Sequence, residues 1–270
     1  MINILMCRPA YYAVQYKINP WMDTHIQPDA SLAHQQWDNL LDQFKNNDVQ
    51  VHLIDPQPEL PDMVFTANAG LVFNNTFIVS RFRYPQRQKE ADFFLNWFKE
   101  RDYEIRHLPE QYYFEGEGDA LFFKDTLIAG YRYRSDIHAH RFISEIIECE
   151  VLSVELTHPS FYHLDTCFCP LDQDSALYYP GAFDAYGVKV LESVIPNLMA
   201  VSDEDAHNFC CNAVVLGKKI ILNQCSHSLK VMLEDMGFQI TQLAFNEFIK
   251  AGGSSKCMTL FLENPRDSRH

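Results

Sequence analysis

Positive charge is scarce in this chain. Lys and Arg number 22 against 36 Asp and Glu, a formal net charge of −14 over 270 residues. That balance repels a phosphate backbone, and no basic cluster interrupts it, which excludes nucleic acid as a partner. The same acidic field favours a cationic small molecule. Long apolar runs are missing too: none approaches the ~20 residues a membrane-spanning helix needs, so no membrane partner is expected. The opening "MINILMCRPAYY" has neither the basic start nor the small-residue cleavage site of a secretory signal. It reads as a strand, and the expected location is the cytoplasm. No C-x-x-C pair occurs among the eight cysteines, at 7, 149, 167, 169, 210, 211, 225 and 257, which argues against a zinc centre. In a reducing compartment such thiols stay free and pack as small apolar groups. No metal or cofactor is expected. Low-complexity segments and Pro/Gly-rich linkers are absent as well, so nothing divides residues 1–270, and they read as a single domain.

What the chain does contain is a recurring unit: a polar residue, an apolar run, a turn, a second apolar run, then an amphipathic helix. It occurs as "DMVFTANAGLVFNNTFIVSRF" from Asp62, as "GDALFFKDTLIAGY" with Asp119, and as "LDTCFCPLDQDSALYYPG" with Asp165. It returns as "FCCNAVVLGKKIILNQ" around Cys211 and Asn212, and opens once more as "KCMTLFLENP" at Cys257. Residues 119, 165, 211 and 257 stand 46 apart each time. Asn74-Asn75, Lys124-Asp125 and Gly217-Lys218 are hairpin-type turn pairs.

Five helical segments lie between the hairpins. In "ASLAHQQWDNLLDQF" the residues Leu32, Trp37, Leu40, Leu41 and Phe44 share one broad face; "EADFFLNWFKE" does the same with Phe93, Phe94, Trp97 and Phe98. "SDIHAHRFISEIIE" starts at a cap on Ser135, "FDAYGVKVLESVI" follows, and "SHSLKVMLEDMG" stops at Gly237. These apolar stripes are core, not cofactor sites. One unit repeated at a near-constant period implies copies around an axis. The expected fold is α/β, a closed ring with pseudo-fivefold repeats, in which closure removes exposed sheet edges and equivalent polar residues point at a shared centre.

Asp62, Glu115, Asp119, His163, Asp165 and Cys257 all stand at or just before the starts of the repeated strands. Each alone has a plain structural reading: a turn acid, a solvated loop carboxylate, a hydrogen-bonded histidine, a small buried thiol. Together they are a chemical kit, in which a thiolate attacks, an imidazole moves protons and carboxylates grip a cation. A thiol peptidase would use the Cys and His but not a ring of acids, which raises the thiol pKa unless a positive substrate offsets it. The substrate read from this kit is cationic and planar, such as a guanidinium, whose N–H fork matches carboxylates.

At these residues the chain resembles the guanidine-modifying, or pentein, superfamily: arginine deiminases, dimethylarginine dimethylaminohydrolases and amidinotransferases. The resemblance rests on "PDMVFTANAG", "FEGEGDALF", "FYHLDTCFCPL" and "KAGGSSKCMTL", and runs from "LMCRP" and "INPWM" to the C-terminus. INPWM, PDMVFTANAG, AFDAY and KAGG-x-x-KC are strings also seen in bacterial arginine dihydrolases. The resemblance implies a five-bladed α/β propeller with Cys257 as nucleophile and His163 as general acid/base. It matches Glu115 and Asp165 to guanidinium-binding acids, although EGEGD carries one residue more than the EGGD of deiminases, at Glu117 and Asp119. Arg134 matches a residue that grips the substrate α-carboxylate, with Arg81 a second candidate; Asn19 and Asn68 match substrate-site asparagines. Asn68 departs from deiminases, which place an acid there. By resemblance, that change goes with hydrolysis of both C–N bonds, giving ornithine. The implied activity is a cofactor-free arginine dihydrolase; the alternatives are a deiminase or dimethylarginine dimethylaminohydrolase that stops at citrulline, and a non-catalytic arginine-binding protein.

Overall fold

The computed structural model describes residues 2–263, and in it the chain forms a mixed α/β fold of five three-stranded sheets. Every sheet is made the same way. A hairpin of two antiparallel strands is followed by a helix, and the helix returns the chain to a third strand parallel to the hairpin's second. Gly70–Phe73 and Thr76–Val79 lead through the helix Glu90–Lys99 to Glu104–Arg106. Ala120–Phe123 and Thr126–Tyr131 lead through Ile137–Ile147 to Glu150–Glu155. Phe168–Pro170 and Ser175–Tyr178 lead through Ala185–Val194 to Asn197–Ala200. Val214–Leu216 and Lys219–Leu222 lead through His227–Asp235 to Gln239–Gln242. The remaining sheet joins the two ends of the described chain: Leu260–Phe261 pairs antiparallel with Asn3–Cys7, and Ala30–Lys45 then leads to Gln50–Ile54.

Local chemistry explains these elements. Three hairpins close on two-residue turns, Phe73 pairing Thr76, Phe123 pairing Thr126 and Leu216 pairing Lys219. Their first turn residues, Asn74, Lys124 and Gly217, take φ of 52, 51 and 60 degrees, the positive values that tight hairpins require. The long helix is capped by Asp29, whose side chain accepts from Leu32 N, and two others by Asp184 and Ser226 in the same way. Trp37, Leu40, Leu41 and Phe44 are buried against the terminal sheet, each contributing about 1.5–3 kcal/mol by leaving water. Leu32 and Phe93, expected on the buried faces, are exposed at 37% and 39% because each sits at the edge of its stripe. The cap of Ile137–Ile147 is Asp136, not Ser135; Ser135 is buried and bonded elsewhere. The eight cysteines are free thiols. Among the described residues no helix is long and apolar enough to cross a membrane.

The repeat has a slightly different register from the one the even spacing implies. Hairpins begin at residues 70, 120, 168, 214 and 260. Glu117, Asp165, Cys211 and Cys257 each stand three residues before their strand, so the residue equivalent to Asp165 and Cys257 is Glu117. Asp119 stands immediately before its strand, displaced by the longer EGEGD loop. Cys257 therefore does not open a strand; it lies in the turn that precedes Leu260–Phe261.

The five loops that precede the hairpins are bonded one to the next in a circuit. Ala67 N donates to Cys257 O at 3.0 Å, and Asn68 Nδ2 to Glu115 O at 3.4 Å. Leu164 N donates to Asp119 Oδ1 at 3.1 Å, Asn212 Nδ2 to Asp165 O at 3.0 Å, and Cys257 N to Asn212 Oδ1 at 3.2 Å. The circuit is made by loops; no sheet closes on itself.

Candidate active site

Equivalent loop positions bring the chemistry together. His163 and Glu115 both stand five residues before their strands, and they meet: His163 Nε2 lies 2.8 Å from Glu115 Oε2. A small cavity of about 10 Å³ is lined by His163 and Cys257 with Asn19, Asp62, Asn68, Arg87, Arg134 and Tyr162. All eight of these residues are buried, so their charges act in a poorly screened interior.

Cys257 is 3% exposed, and its Sγ donates to Asp165 Oδ2 at 3.3 Å while accepting from Asn212 Nδ2 at 3.1 Å. Burial pushes the thiol well above its usual pKa, and the Asp165 charge pushes it further. Asp165 is itself pushed up to about 7, by burial that Lys256 and the Cys257 bond only partly offset. For Glu115, burial acts upward but Arg134 and the His163 bond outweigh it, holding the carboxyl well below the usual range. His163 is lowered to about 4, burial exceeding the opposing pull of Glu115. The resting pair at neutral pH is thus a thiol and a neutral imidazole. With Nε2 committed to the Glu115 carboxylate, Nδ1 is the nitrogen left to accept a proton.

Both Glu115 oxygens are engaged. Oε2 takes His163 and Arg134 Nη1 (2.9 Å), and Oε1 takes Arg83 N (3.1 Å). The resemblance implies a guanidinium-binding acid at Glu115; the geometry sets its Oε2 on His163 Nε2. The spare acceptors are elsewhere. Asp62 Oδ1 and Asp165 Oδ1 are buried with no hydrogen-bond partner among the described residues. Their second oxygens are held, Asp62 Oδ2 by the Tyr16 hydroxyl at 2.9 Å and Asp165 Oδ2 by Cys257. Burial raises the pKa of Asp62 as well, with Arg87 and Tyr16 opposing.

The other expected residues divide. Arg134 reaches the cavity, with Nη2 donating to Ile18 O at 3.1 Å and its guanidinium 4.5 Å from the Tyr162 ring centroid. Asn19 lines the cavity, but its amide is spent on the loop, accepting from Trp21 N and Met22 N and donating to Ala251 O. Asn68 accepts from Arg87 Nη1 at 2.8 Å, and its Nδ2 makes the long bond to Glu115 O. Gly118 makes room for that amide: a Cβ there would lie 2.2 Å from Asn68 Nδ2. Arg81 is not brought to the cavity. It is exposed, on a bridge to Phe114 beside the Tyr113 ring, whereas Arg87 lines the cavity. Asp119 does not line the cavity either. Its oxygens accept from Ser135 Oγ at 2.6 Å and Leu164 N at 3.1 Å, so it braces the His163 loop instead of a ligand. Glu117, equivalent in register to Cys257, forms a buried pair with Lys256 Nζ at 2.8 Å.

Sequence reading missed Arg87, Glu90, Tyr162 and Asn212. Arg87 is buried and held by both oxygens of Glu90 at 2.9 and 2.8 Å; "YPQRQKEAD" carries no sign that this arginine turns inward. Asn212 did carry a signal, since it stands two residues before its strand as Asn68 does.

Fold and site together define an α/β cysteine-nucleophile enzyme: a buried thiol and an oriented imidazole face one cavity with carboxylates in reach of a cation. Residues 13–263 match the family model described as N,N dimethylarginine dimethylhydrolase, eukaryotic, and the chain belongs to that family. It is 43% identical to the bifunctional arginine dihydrolase/ornithine cyclodeaminase AgrE of Nostoc sp., over 100% of this chain and 39% of that protein. It is 37% identical to the N(G),N(G)-dimethylarginine dimethylaminohydrolase of Mycobacterium tuberculosis, over 94% of this chain and 84% of that one. A crystal structure of the N-terminal domain of ArgZ, a cyanobacterial arginine dihydrolase, as a Cys-to-Ser variant bound to substrate, superposes with a TM-score of 0.96. That domain is 44% identical, with 98% of this chain and 100% of that one covered. The chain spans about two fifths of the length of the bifunctional relatives it matches.

Proposed function

We propose that this chain is a thiol-dependent hydrolase of the guanidino group of L-arginine, an arginine dihydrolase that yields ornithine, ammonia and carbon dioxide. One observation carries the reading: Asp62 keeps a buried, partnerless carboxylate oxygen at a cavity that also holds Cys257 and His163, and Asp165, bonded to the Cys257 sulfur, keeps a second one behind it. Orphaned buried acceptors cost free energy and call for a donor, and a guanidinium supplies several N–H groups with the compensating charge. The arginine dihydrolase activity of the ArgZ domain and of AgrE supports the same reading. We place the five units as blades of one propeller in a single domain, which the circuit of loop hydrogen bonds supports.

A cavity of about 10 Å³ has room for one water, far less than arginine. The loop carrying Ile18, Asn19 and Met22 must lift to admit substrate. When it does, Arg134 loses the Ile18 carbonyl and its Nη2 is free to take the α-carboxylate. The arriving guanidinium favours the thiolate, and the Cys257 proton passes to His163, whose imidazolium Glu115 stabilises. The sulfur adds to the guanidino carbon, His163 protonates one departing amino group, and ammonia leaves a thiouronium. Water, deprotonated by His163, then adds, and the C–S bond breaks to give the ureido compound. A second attack on that carbon expels the second ammonia and leaves a thiocarbamate. Its hydrolysis releases a carbamate that falls to ornithine and carbon dioxide.

Asn68 suits the second round, because a neutral amide tolerates a neutral ureido group better than a carboxylate does. The second reading, favoured by the family description, is the same first half-reaction on arginine or a methylated arginine, ending at citrulline. Uniformly carbon-labelled arginine, incubated with the protein and followed by mass spectrometry, tests both: ornithine without accumulating citrulline is expected. Citrulline alone would replace the dihydrolase reading with the second, and binding without turnover would leave an arginine-binding protein.

A further inference from the structure

The amide of Asn212 is used to capacity. Nδ2 donates to Cys257 Sγ at 3.1 Å and to Asp165 O at 3.0 Å, while Oδ1 accepts from Ser254 N at 3.1 Å and Cys257 N at 3.2 Å. The residue is fully buried and is not among those that line the cavity. Its main chain also holds the nucleophile loop, with the carbonyl accepting from Ser255 Oγ at 2.8 Å. The sulfur thus sits between a carboxylate that accepts a hydrogen bond from it and an amide that donates one to it. A thiol can bond to either, but a thiolate can bond only to the amide and is repelled by the carboxylate.

We propose that Asn212 is a catalytic residue of this site, the donor whose N–H stabilises the Cys257 thiolate during attack while its Oδ1 fixes the loop that presents the sulfur. The inference rests on Cys257 being the nucleophile but not on which guanidino compound is the substrate. The titratable groups around the sulfur are Asp165, His163, Asp62 and Tyr162, with the basic side chains of Arg87, Arg134 and Lys256 beside them. All of these remain in an Asn212→Ala variant, so a changed titration of the thiol reports the lost amide.

Alkylation of Cys257 by iodoacetamide in the substrate-free protein, read across pH by mass spectrometry of its peptide, follows the thiolate in the fraction of molecules whose loop is open, and its midpoint in pH reports the thiol. A hydrogen bond to a charged acceptor contributes roughly 1.5–3 kcal/mol, about a tenfold to hundredfold change in thiolate population. Asn212→Ala is expected to move the alkylation midpoint to higher pH by one to two units on that basis and to lower kcat by a similar factor, with KM little changed. If Ala prevents folding, Asn212→Leu keeps the side-chain shape and removes the donor without adding charge, with the same expected shift. A folded variant whose alkylation midpoint matches the parent overturns the proposal and leaves Asn212 a loop anchor. Because no substrate is present, that result is separable from failure of the arginine reading, which would show only in turnover.

Discussion

Asp165 should destabilise the protein that it equips. Its carboxyl is fully buried, one oxygen has no partner, and its pKa is raised from 3.8 to about 7. In the unfolded chain the same group ionises near its ordinary value. For an acid raised on folding, the native state binds more protons, so stability is highest below the unfolded pKa and falls as pH rises toward the folded one. The shift of roughly three units, at about 1.4 kcal/mol each, sets an order of magnitude of 4 kcal/mol lost between about pH 4 and pH 7. Asp165→Asn removes the titration. Urea unfolding of parent and variant at half-unit steps from pH 4 to pH 8 should show the variant gaining on the parent by about 1.4 kcal/mol per unit, then levelling above pH 7. Any fixed difference from repacking shifts the whole curve without changing its slope. The same variant should lose turnover, since it removes a partner of Cys257. A stability difference that stays flat across this range would refute the claim that burial raises the pKa of Asp165.

Three further outcomes are expected. Cys257→Ala should abolish ammonia release while arginine still binds by calorimetry, and His163→Ala should be severely impaired; substantial turnover by either variant would remove that residue from its role. Asn68→Asp should shift labelled product toward citrulline with modest change in arginine affinity, because the new carboxylate pairs with Arg87 and holds a neutral ureido group less well; an unchanged product ratio would detach Asn68 from the second hydrolysis. Gly252→Ala should cost about 1–3 kcal/mol and depress activity, since Gly252 has φ +82 degrees and a Cβ would lie 2.7 Å from the Tyr162 hydroxyl; a thermal melt within a degree of the parent would contradict this.

The sequence alone was enough for the repeated ββαβ unit, because turn pairs, apolar alternation and helix caps act over a few residues and leave their mark locally. Phe73, Phe123 and Leu216 end strands where the turn pairs Asn74-Asn75, Lys124-Asp125 and Gly217-Lys218 said they would. It also placed Cys257, His163, Glu115 and Asp165 in strand-preceding loops, since polar residues recurring at one phase of a repeat must face one place. Tertiary structure decided what those residues touch. An even spacing of 46 made Asp119 the counterpart of Asp165, but the longer EGEGD loop hands that position to Glu117 and leaves Asp119 to brace Leu164. Arg81 and Arg87 are alike as sequence; only the turn into the helix that carries Glu90 determines that Arg87 is buried and Arg81 is not. Whether Glu115 is free for a ligand depends on three donors from three distant segments: Arg83, Arg134 and His163. Hydrogen-bond saturation and burial are properties of contacts between residues far apart in the chain, and no local pattern encodes them.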